Sequence, residues 1–335
     1  MNKQIKEKMN CIVTVITFRE FTLSLIKDLT LSGRYGTAHA YSCAMNRLLG
    51  FASNPDLSFE SFTPEFLKRY EQYLLSEGRK RNTVSLYMRM LRAICNQAVR
   101  LHIANLPAGL FSEVFTGTDT SRKRALTPAC ISQLREADLS QYPHLEAVRD
   151  IFLLSFYLRG IPFVDLIRLR KVDIDNGVLR YRRSKTGCLL TIRVEPCARV
   201  ILKKYTSGTS DSSYLFPVIK DSGFLGYRQY QKALRGYNTL LGELSLLLGL
   251  KVKLTSYVAR HSWATAAYHQ GIPVSVISES LGHASEKITY TYLASFDNHT
   301  LNKANRKVIG LVSRSYPYGK SVTSLLQKCG VLAAT

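Results

Sequence analysis

The stretch SYVARHSWATAAYHQGIPVSVISESLGHASEKITYTYL, residues 256–293, places chemically capable side chains in a fixed order. Arg260 and His261 come first, a run of small residues follows, and His283 ends a Leu-Gly-His sequence. Tyr292 stands nine residues after His283. Taken one at a time, such residues are more often structural than catalytic, because half-buried His and Tyr are common in folded proteins. Their order and spacing therefore have to be interpreted together with the rest of the chain.

The chain is strongly basic. Its 335 residues include 46 Lys and Arg against 24 Asp and Glu, which gives a formal net charge of +22. Such an excess repels itself in the folded state and is typical of proteins whose surface is neutralised by a polyanion. The composition indicates nucleic acid as the leading partner, with an anionic membrane surface as the alternative. A hydrophobic content of 46% is ordinary for a globular protein with one or two domains.

Neither a membrane span nor a disulfide framework is indicated. The apolar run CIVTVITF at 11–18 is too short to cross a bilayer, and no small-residue cleavage site of a signal peptide follows it. The seven cysteines form no Cys-x-x-Cys pair, which favours reduced thiols in a cytoplasmic protein and no metal site. They lie at positions 11, 43, 95, 130, 188, 197 and 329.

The first part of the chain is predicted to be helical. The segment 63–78 begins with a Thr cap and Pro in its first turn, and it ends at a glycine. In the next segment, 82–102, Asn82 or Thr83 can cap a helix. The apolar stripe of this helix is formed by Val84, Met88, Leu91, Cys95 and Ala98. Basic residues off the stripe and in the preceding turn predict phosphate contacts at Arg79, Lys80, Arg81, Arg89 and Arg92.

A change of composition predicts a domain boundary. The segment 105–128 is rich in Gly, Pro, Thr and Ser and contains the basic cluster Arg122, Lys123 and Arg124, which we also expect to contact phosphate. We predict an N-terminal segment (1–16), a helical DNA-binding domain (17–110), a linker (111–124), a second domain (125–312) and a C-terminal tail (313–335). Two mainly helical domains joined by a basic linker could close around duplex DNA as a clamp.

One strand-like patch interrupts the helical pattern of the second domain. Residues 173–196 alternate apolar and polar side chains on either side of the turn SKTG at 184–187. This pattern predicts a β-hairpin within a small sheet. Lys185 lies at the predicted tip of the hairpin.

The order of residues in 256–293 resembles the C-terminal catalytic boxes of the tyrosine recombinases, the phage integrase family. That family has an Arg followed by His and a small-residue helix, then a Leu-Gly-His turn, then a tyrosine nine residues later. Arg260, His283 and Tyr292 occupy those places. The resemblance covers most of the chain to about Gly310. It implies a mainly α fold, with a SAM-like helical core-binding domain and a C-terminal α+β catalytic domain that contains a small sheet.

The resemblance also implies a chemistry. Tyr292 would attack a DNA phosphodiester to form a 3′-phosphotyrosyl bond, Arg260 and His283 would hold the phosphoryl oxygens, and Lys185 would be the general acid. These residue types suit the reaction, because its transition state gathers negative charge and its 5′-oxygen leaving group needs a proton. No cofactor, ATP or metal is expected, because the covalent intermediate preserves the bond energy. The spacing from His283 favours Tyr292 over Tyr290 as the nucleophile.

Two positions depart from the family pattern. Tyr257 stands where the family usually has His; its hydroxyl can donate a hydrogen bond to phosphate but cannot take up a proton at neutral pH. The family also has an arginine three residues before an acidic residue, here Asp165, and Pro162 occupies that slot. We predict that Arg159 fills the missing role, with Arg168 as the weaker candidate. The form RGIPFVD at 159–165 resembles a branch of recombinases common in Bacteroidetes.

These features predict a site-specific recombinase that inverts, integrates or excises DNA. We expect it to be a monomer when free and a homo-tetramer on duplex DNA with paired inverted-repeat half-sites. The short segment before the first helix favours a simple invertase or the integrase of a small mobile element. Two alternatives remain open, namely a DNA-binding homologue impaired in cleavage, given Pro162 and Tyr257, and a type IB topoisomerase.

Overall fold

The computed structural model describes residues 16–119, 124–206, 214–293 and 298–313. The predicted N-terminal segment before residue 16, the cations Arg122 and Lys123, and the tail after residue 313 lie outside these ranges. Within them, every helix is too short or too polar to cross a lipid bilayer. The chain divides into two compact units. The first comprises Met1–Arg122, Ile167–Lys171 and Lys204–Thr239, and the second comprises Lys123–Leu166, Val172–Lys203 and Leu240–Thr335.

Four helices of the first unit share one apolar core. They are α1 (Phe18–Leu31), α2 (Tyr35–Ala52), α3 (Pro64–Ser76) and α4 (Arg81–Arg100), with a short 3-10 turn at Phe59–Ser61. As predicted, α3 begins after a Thr63 cap with Pro64 in its first turn. The predicted stripe of α4 is confirmed, because its side chains are all buried in the core: Val84, Met88, Leu91, Cys95 and Ala98.

The predicted start of α4 is wrong. The helix begins at Arg81, and neither Asn82 nor Thr83 caps it. The Asn82 amide is used elsewhere: its Nδ2 donates to the Asp119 carbonyl at 3.0 Å, and the Asp119 N–H donates to its Oδ1 at 2.7 Å. A side chain that pairs with a distant backbone in this way is not free to satisfy the first amides of its own helix.

The rest of the chain is also mainly helical. Its helices are α5 (Pro128–Glu136), α6 (Pro143–Tyr157), α7 (Phe163–Leu166), α8 (Pro196–Thr206), α9 (Gly223–Leu247), α10 (Val258–His269), α11 (Val274–Ser280), α12 (Glu286–Tyr290) and α13 (Asn298–Ser313), with a 3-10 turn at Lys171–Asp173. The Thr-Pro start predicted near residue 127 is confirmed, because the Thr127 hydroxyl accepts from the Cys130 N–H at the start of α5.

The predicted small sheet is confirmed. Three antiparallel strands pair in the order β1 (Ile174–Asp175), β2 (Val178–Arg182) and β3 (Leu189–Arg193). Alternate side chains of β2 and β3 are buried, among them Leu179 opposite Ile192 and Tyr181 opposite Leu190. This alternation follows from the period of two residues along a strand. The turn that joins β2 to β3 carries Lys185, so the sheet positions this lysine.

A small apolar cluster supports the region around residues 256–293. Helices α10 and α11 contribute Ala264, Ala267 and Ile277, and Leu281 and Leu293 complete the buried set. Tyr292 packs against this cluster from its edge. The small side chains of α10 let the Leu-Gly-His turn and the Tyr292 segment pack closely on that helix, which brings together residues that are far apart in the chain.

Candidate active site

Arg260, in the first turn of α10, is the centre of the candidate site. Its side chain is almost wholly buried, with 1% of the residue exposed. Nη1 donates to the Gly160 carbonyl at 2.8 Å and Nη2 to the Leu281 carbonyl at 2.6 Å. Within the described ranges it forms no ion pair with Asp or Glu, and its buried Nε has no partner. A buried cation without an acidic partner is costly, and it suits a site that receives an anion.

Gly160 allows the backbone to approach Arg260 closely. Its φ of +67° is a conformation that side chains disfavour. A Cβ at this position would lie 2.7 Å from the Cα of Arg260, where no side chain fits. Glycine is therefore required here for both reasons, and it holds an acceptor carbonyl against the buried guanidinium.

His283 is a neutral acceptor at this site. Its Nε2 lies 3.0 Å from Arg260 Nη2, and its Nδ1 lies 2.8 Å from the Thr289 hydroxyl. Because a guanidinium only donates, Nε2 accepts and the ring proton sits on Nδ1, which donates to Thr289. Burial, followed by the charges of Arg260, Arg183 and Lys185, lowers the pKa of His283 to about 3. The imidazole is therefore uncharged at neutral pH.

Tyr292 lies in the turn directly after α12, with its ring against the same cluster. The ring stacks on His283 at a centroid distance of 5.0 Å and lies 4.7 Å from the His261 ring. The Arg260 Cζ is 5.5 Å from the Tyr292 ring centroid. The structure thus brings together Arg260, His283 and Tyr292, as the sequence predicts.

The backbone around Tyr292 is held by α10. The Tyr292 carbonyl accepts hydrogen bonds from His261 Nδ1 and the Thr265 hydroxyl, both at 3.3 Å. Tyr290, two residues earlier, is 55% exposed. The two tyrosines therefore occupy different surroundings, as expected for positions two residues apart in a helical turn.

The hairpin between β2 and β3 carries two cations towards this cluster. Lys185 is exposed at its tip, and its charge contributes to the lowered pKa of His283. Arg183 is only 4% exposed, and its Nη1 donates to the Gly282 carbonyl at 2.6 Å. The Ser184 N–H donates to Oδ1 of the buried Asp165 at 3.0 Å, which fixes the base of the hairpin turn.

Tyr257, immediately before α10, also lies beside the cluster. Although 49% of the residue is exposed, desolvation of its hydroxyl and the neighbouring Tyr292 raise its pKa, against the opposing charges of Arg260 and Arg183. The hydroxyl is therefore protonated at neutral pH and able to donate a hydrogen bond.

Within the described ranges, neither predicted substitute for the first arginine is hydrogen-bonded to Arg260 or His283. Arg159 is half-buried with φ +58°, and within the described ranges its side chain forms no hydrogen bond or ion pair. The charges that lower the pKa of His283 include Arg183 and Lys185 but not Arg159. Arg168 is exposed, with its guanidinium 5.8 Å from the ring centroid of Tyr230.

Two domain families match the chain. The phage integrase SAM-like domain matches residues 17–108, and the phage integrase family matches residues 126–299, more than half of the chain. The protein belongs to the phage integrase family. The family that the order of residues in 256–293 resembles is thereby confirmed, together with the mainly helical fold and its small sheet.

Relatives of this phage integrase family member include tyrosine recombinases of the Xer type. XerA of Pyrococcus furiosus is 25% identical over 262 residues, covering 68% of this chain and 88% of the relative. XerC of Roseiflexus castenholzii is 29% identical over 192 residues, covering 54% of this chain and 59% of the relative. The chain thus spans under two thirds of that XerC and most of that XerA.

Solved structures share the fold. The Tn1549 transposon integrase in complex with a circular intermediate DNA aligns with a TM-score of 0.60 and 16% identity, covering 87% of this chain and 99% of that chain. A lambda integrase dimer bound to a COC′ core site aligns with a TM-score of 0.56 and 16% identity, covering 89% and 84%. At this level of identity, the likeness concerns the fold alone.

Sequence reasoning missed Arg183 as part of the candidate site. Leu179 and Tyr181 are buried, and Arg183 continues their two-residue alternation just beyond the end of β2. The alternation of buried and exposed positions along β2 therefore predicts that Arg183 is buried. This is hard to recognise in the sequence because neighbouring basic residues are exposed, namely Arg180, Arg182 and Lys185.

The predicted DNA-binding cations of the first unit are exposed side chains: Arg79, Lys80, Arg81, Arg89 and Arg92. Arg81 also lies over the ring of Phe115, with its Cζ 4.2 Å from the centroid. Arg124 is exposed as well. Within the part of the chain that the structure describes, no group of three or more His, Cys, Asp or Glu is arranged to hold a metal ion.

Proposed function

We propose that this protein is a site-specific tyrosine recombinase that cleaves and rejoins duplex DNA through a 3′-phosphotyrosyl intermediate. One observation carries the proposal: the Tyr292 ring packs on the neutral His283 and against the buried Arg260, which has no acidic partner in the described chain. This cluster joins a nucleophile, an unpaired cation and an imidazole at one point. A phosphodiester placed there would supply the missing negative charge.

Each residue has a proposed role in strand cleavage. The Tyr292 oxygen attacks phosphorus and releases its proton to solvent, the bond from phosphorus to the 5′-oxygen breaks, and Lys185 gives that oxygen a proton. Arg260 binds the non-bridging oxygens while its carbonyl partners hold the guanidinium in place. His283 and Tyr257 complete the contacts with the phosphoryl group, and Arg159 remains the sequence prediction for the first-arginine role. Rejoining reverses the same steps.

The proposed partner is double-stranded DNA with paired inverted-repeat half-sites, bound by a homo-tetramer that forms from free monomers. A related fold, the lambda integrase, has been solved as a tetramer bound to a Holliday junction, which supports this assembly as a proposal. Phosphate contacts are proposed for the exposed cations Arg79, Lys80, Arg81, Arg89 and Arg92, and for Arg122, Lys123 and Arg124. We also place the protein in the cytoplasm and, from RGIPFVD, in a Bacteroidetes-like branch.

The test traps the covalent intermediate. A duplex is enriched from a random-sequence pool by binding to the full chain, and versions nicked at successive positions let the short leaving strand diffuse away after cleavage. Incubation without ATP or added metal, followed by a denaturing gel, is expected to give a covalent band with the wild type. Tyr292→Phe is expected to bind the same duplex and to give no band.

The outcomes separate the competing functions. Tyr290→Phe is the matched control and should retain the band. Tight binding without a covalent band under any condition would favour the impaired DNA-binding homologue. Relaxation of supercoiled plasmid without paired half-sites would favour the type IB topoisomerase.

A further inference from the structure

Arg183 is a buried cation that the proposed roles leave unused. It follows β2 directly and continues the buried register of Leu179 and Tyr181, with 4% of the residue exposed. Within the described ranges it forms no ion pair with Asp or Glu, and its buried Nε has no partner. Burying an arginine in this way is unfavourable unless a ligand brings negative charge to it.

Arg183 and Arg260 are held as a pair by the Leu-Gly-His turn. Arg260 Nη2 donates to the Leu281 carbonyl and Arg183 Nη1 to the Gly282 carbonyl, each at 2.6 Å. These carbonyls belong to consecutive residues, so one turn positions both guanidiniums. Gly282 permits the approach, since its φ is +62° and a Cβ there would lie 3.3 Å from the Arg183 Cδ.

The charge of Arg183 acts on the whole cluster. After burial, it is the next cause that lowers the pKa of Arg260, and it also lowers the pKa of His283. Two like charges brought together without an anion repel each other, and a phosphate between them would relieve that repulsion. Arg159 is not among the causes of the pKa shifts of Arg260 and His283. Pro162, which occupies the position of the missing arginine, has an uncharged side chain.

We propose that Arg183 binds the scissile phosphate in the role of the missing first arginine. This assignment rests on the proposed recombinase function and deepens it. The two guanidiniums bind the non-bridging oxygens from neighbouring anchor points and stabilise the charge that builds on them in the transition state. Arg183 and Lys185 lie two residues apart on one hairpin whose base is fixed by Asp165, so the same element supplies a phosphate-binding cation and the acid.

The test compares two forms of the enriched duplex, identical except at the phosphate that the wild type cleaves. One has the ordinary phosphodiester, and the other has a methylphosphonate, in which a methyl group replaces one charged oxygen. Arg183→Met removes the guanidinium and keeps a flexible apolar chain in the buried position. On the ordinary duplex we expect covalent-adduct formation to fall about 100-fold or more, with the Kd for DNA changed less than about threefold. On the methylphosphonate duplex, we expect the rate deficit of Arg183→Met relative to the wild type to be about tenfold smaller. The reason is that less negative charge develops on the non-bridging oxygens and needs to be stabilised.

Arg182→Met is the matched control, because Arg182 is the exposed neighbour on β2, and it should cleave like the wild type. Arg159→Met is measured beside it because Arg159 is the competing sequence prediction for the same role. If Arg183→Met formed the covalent adduct at the wild-type rate, the assignment would be overturned. If only Arg159→Met lost adduct formation, the first-arginine role would return to Arg159. An equal loss on both duplexes would assign Arg183 a structural role.

Circular dichroism checks that the Arg183 variant is folded. If Arg183→Met does not fold, Arg183→Gln, which keeps a donor for the Gly282 carbonyl, is judged by the same comparison of duplexes. A wild-type protein that forms no adduct on either duplex would contradict the proposed function, and the assignment would fall with it. Adduct formation by the wild type and by Arg183→Met alike would contradict only the assignment.

Discussion

Two groups of cations in this protein carry their charge in opposite surroundings. Arg260 and Arg183 are 1% and 4% exposed and are held by backbone carbonyls. The cations at 79–81 and on the outer face of α4 are exposed to solvent. Exposed charges keep their hydration and are screened by salt, whereas the buried pair loses its hydration without gaining an acidic partner among the described residues.

A net charge of +22 therefore does not by itself indicate where in the molecule a reaction takes place. In the proposed function the exposed cations supply affinity for DNA, since each contributes a little and salt weakens all of them. The buried guanidiniums are costly to place, and in the proposed function they hold the scissile phosphate in one geometry. Changes in the first group should alter binding, and changes in the second should alter the rate of the chemical step.

The largest effect is expected at the buried pair. Arg260→Ala should lower the single-turnover rate of covalent-adduct formation about 10²–10³-fold while DNA binding persists. Arg260→Lys should not restore the rate, because one ammonium cannot bind the Gly160 and Leu281 carbonyls as the guanidinium does. If Arg260→Lys formed the adduct at the wild-type rate, a simple positive charge would be sufficient for cleavage. The proposed difference between the buried arginines and the exposed cations would then be wrong.

A second test concerns the packing that buries Arg260. Gly160→Ala and Gly78→Ala both place alanine at a positive φ, +67° and +73°. Only the first meets a neighbour, the Arg260 Cα at 2.7 Å, whereas no atom lies within 4 Å at Gly78. In urea unfolding we expect Gly78→Ala to cost about 1 kcal/mol and Gly160→Ala about 2–4 kcal/mol. Equal decreases in the free energy of unfolding for the two variants would mean that the close approach of Gly160 to Arg260 does not contribute to stability.

The exposed group should respond differently. Arg89→Ala should weaken DNA binding severalfold at low salt and reduce the slope of log K against log salt concentration by about one. The rate of adduct formation at saturating DNA should stay unchanged. Asn96→Ala, at another exposed position of α4, is the control and should alter neither the affinity nor the slope. A reduced rate at saturating DNA in Arg89→Ala would break the distinction between the two groups.

The last expected effect is a pH dependence of stability. The pKa of His283 is about 3 in the folded protein and close to 6.5 when unfolded, so the unfolded state binds the proton in between. The stabilisation from the neutral imidazole is complete above pH 6.5 and is lost as the pH falls towards 3. His283→Gln should therefore flatten the rise of the free energy of unfolding between about pH 5 and 6.5. His39→Gln, at an exposed position of α2, is the control and should keep the wild-type pH dependence of the free energy of unfolding. An unchanged pH dependence in His283→Gln would contradict the prediction.

Much of the fold follows from local patterns in the sequence. The stripe of α4 and the Thr-Pro starts of α3 and α5 are confirmed because helix period and capping depend on near neighbours. The alternation in β2 and β3 likewise predicts the hairpin. The cap of α4 is the exception, since Asn82 binds Asp119, a partner 37 positions away that no local pattern reveals.

Residue order and short spacings are enough to predict the family, the helical architecture with its hairpin, and the grouping of Arg260, His283 and Tyr292. The surroundings of the cations depend instead on tertiary packing. It buried Arg183 beside Gly282, 99 positions along the chain, and placed the Gly160 carbonyl, 100 positions away, on Arg260. The physical reason is that the burial of a charge and the partner of a donor depend on which distant segments pack together, and residue type and spacing do not encode that packing locally.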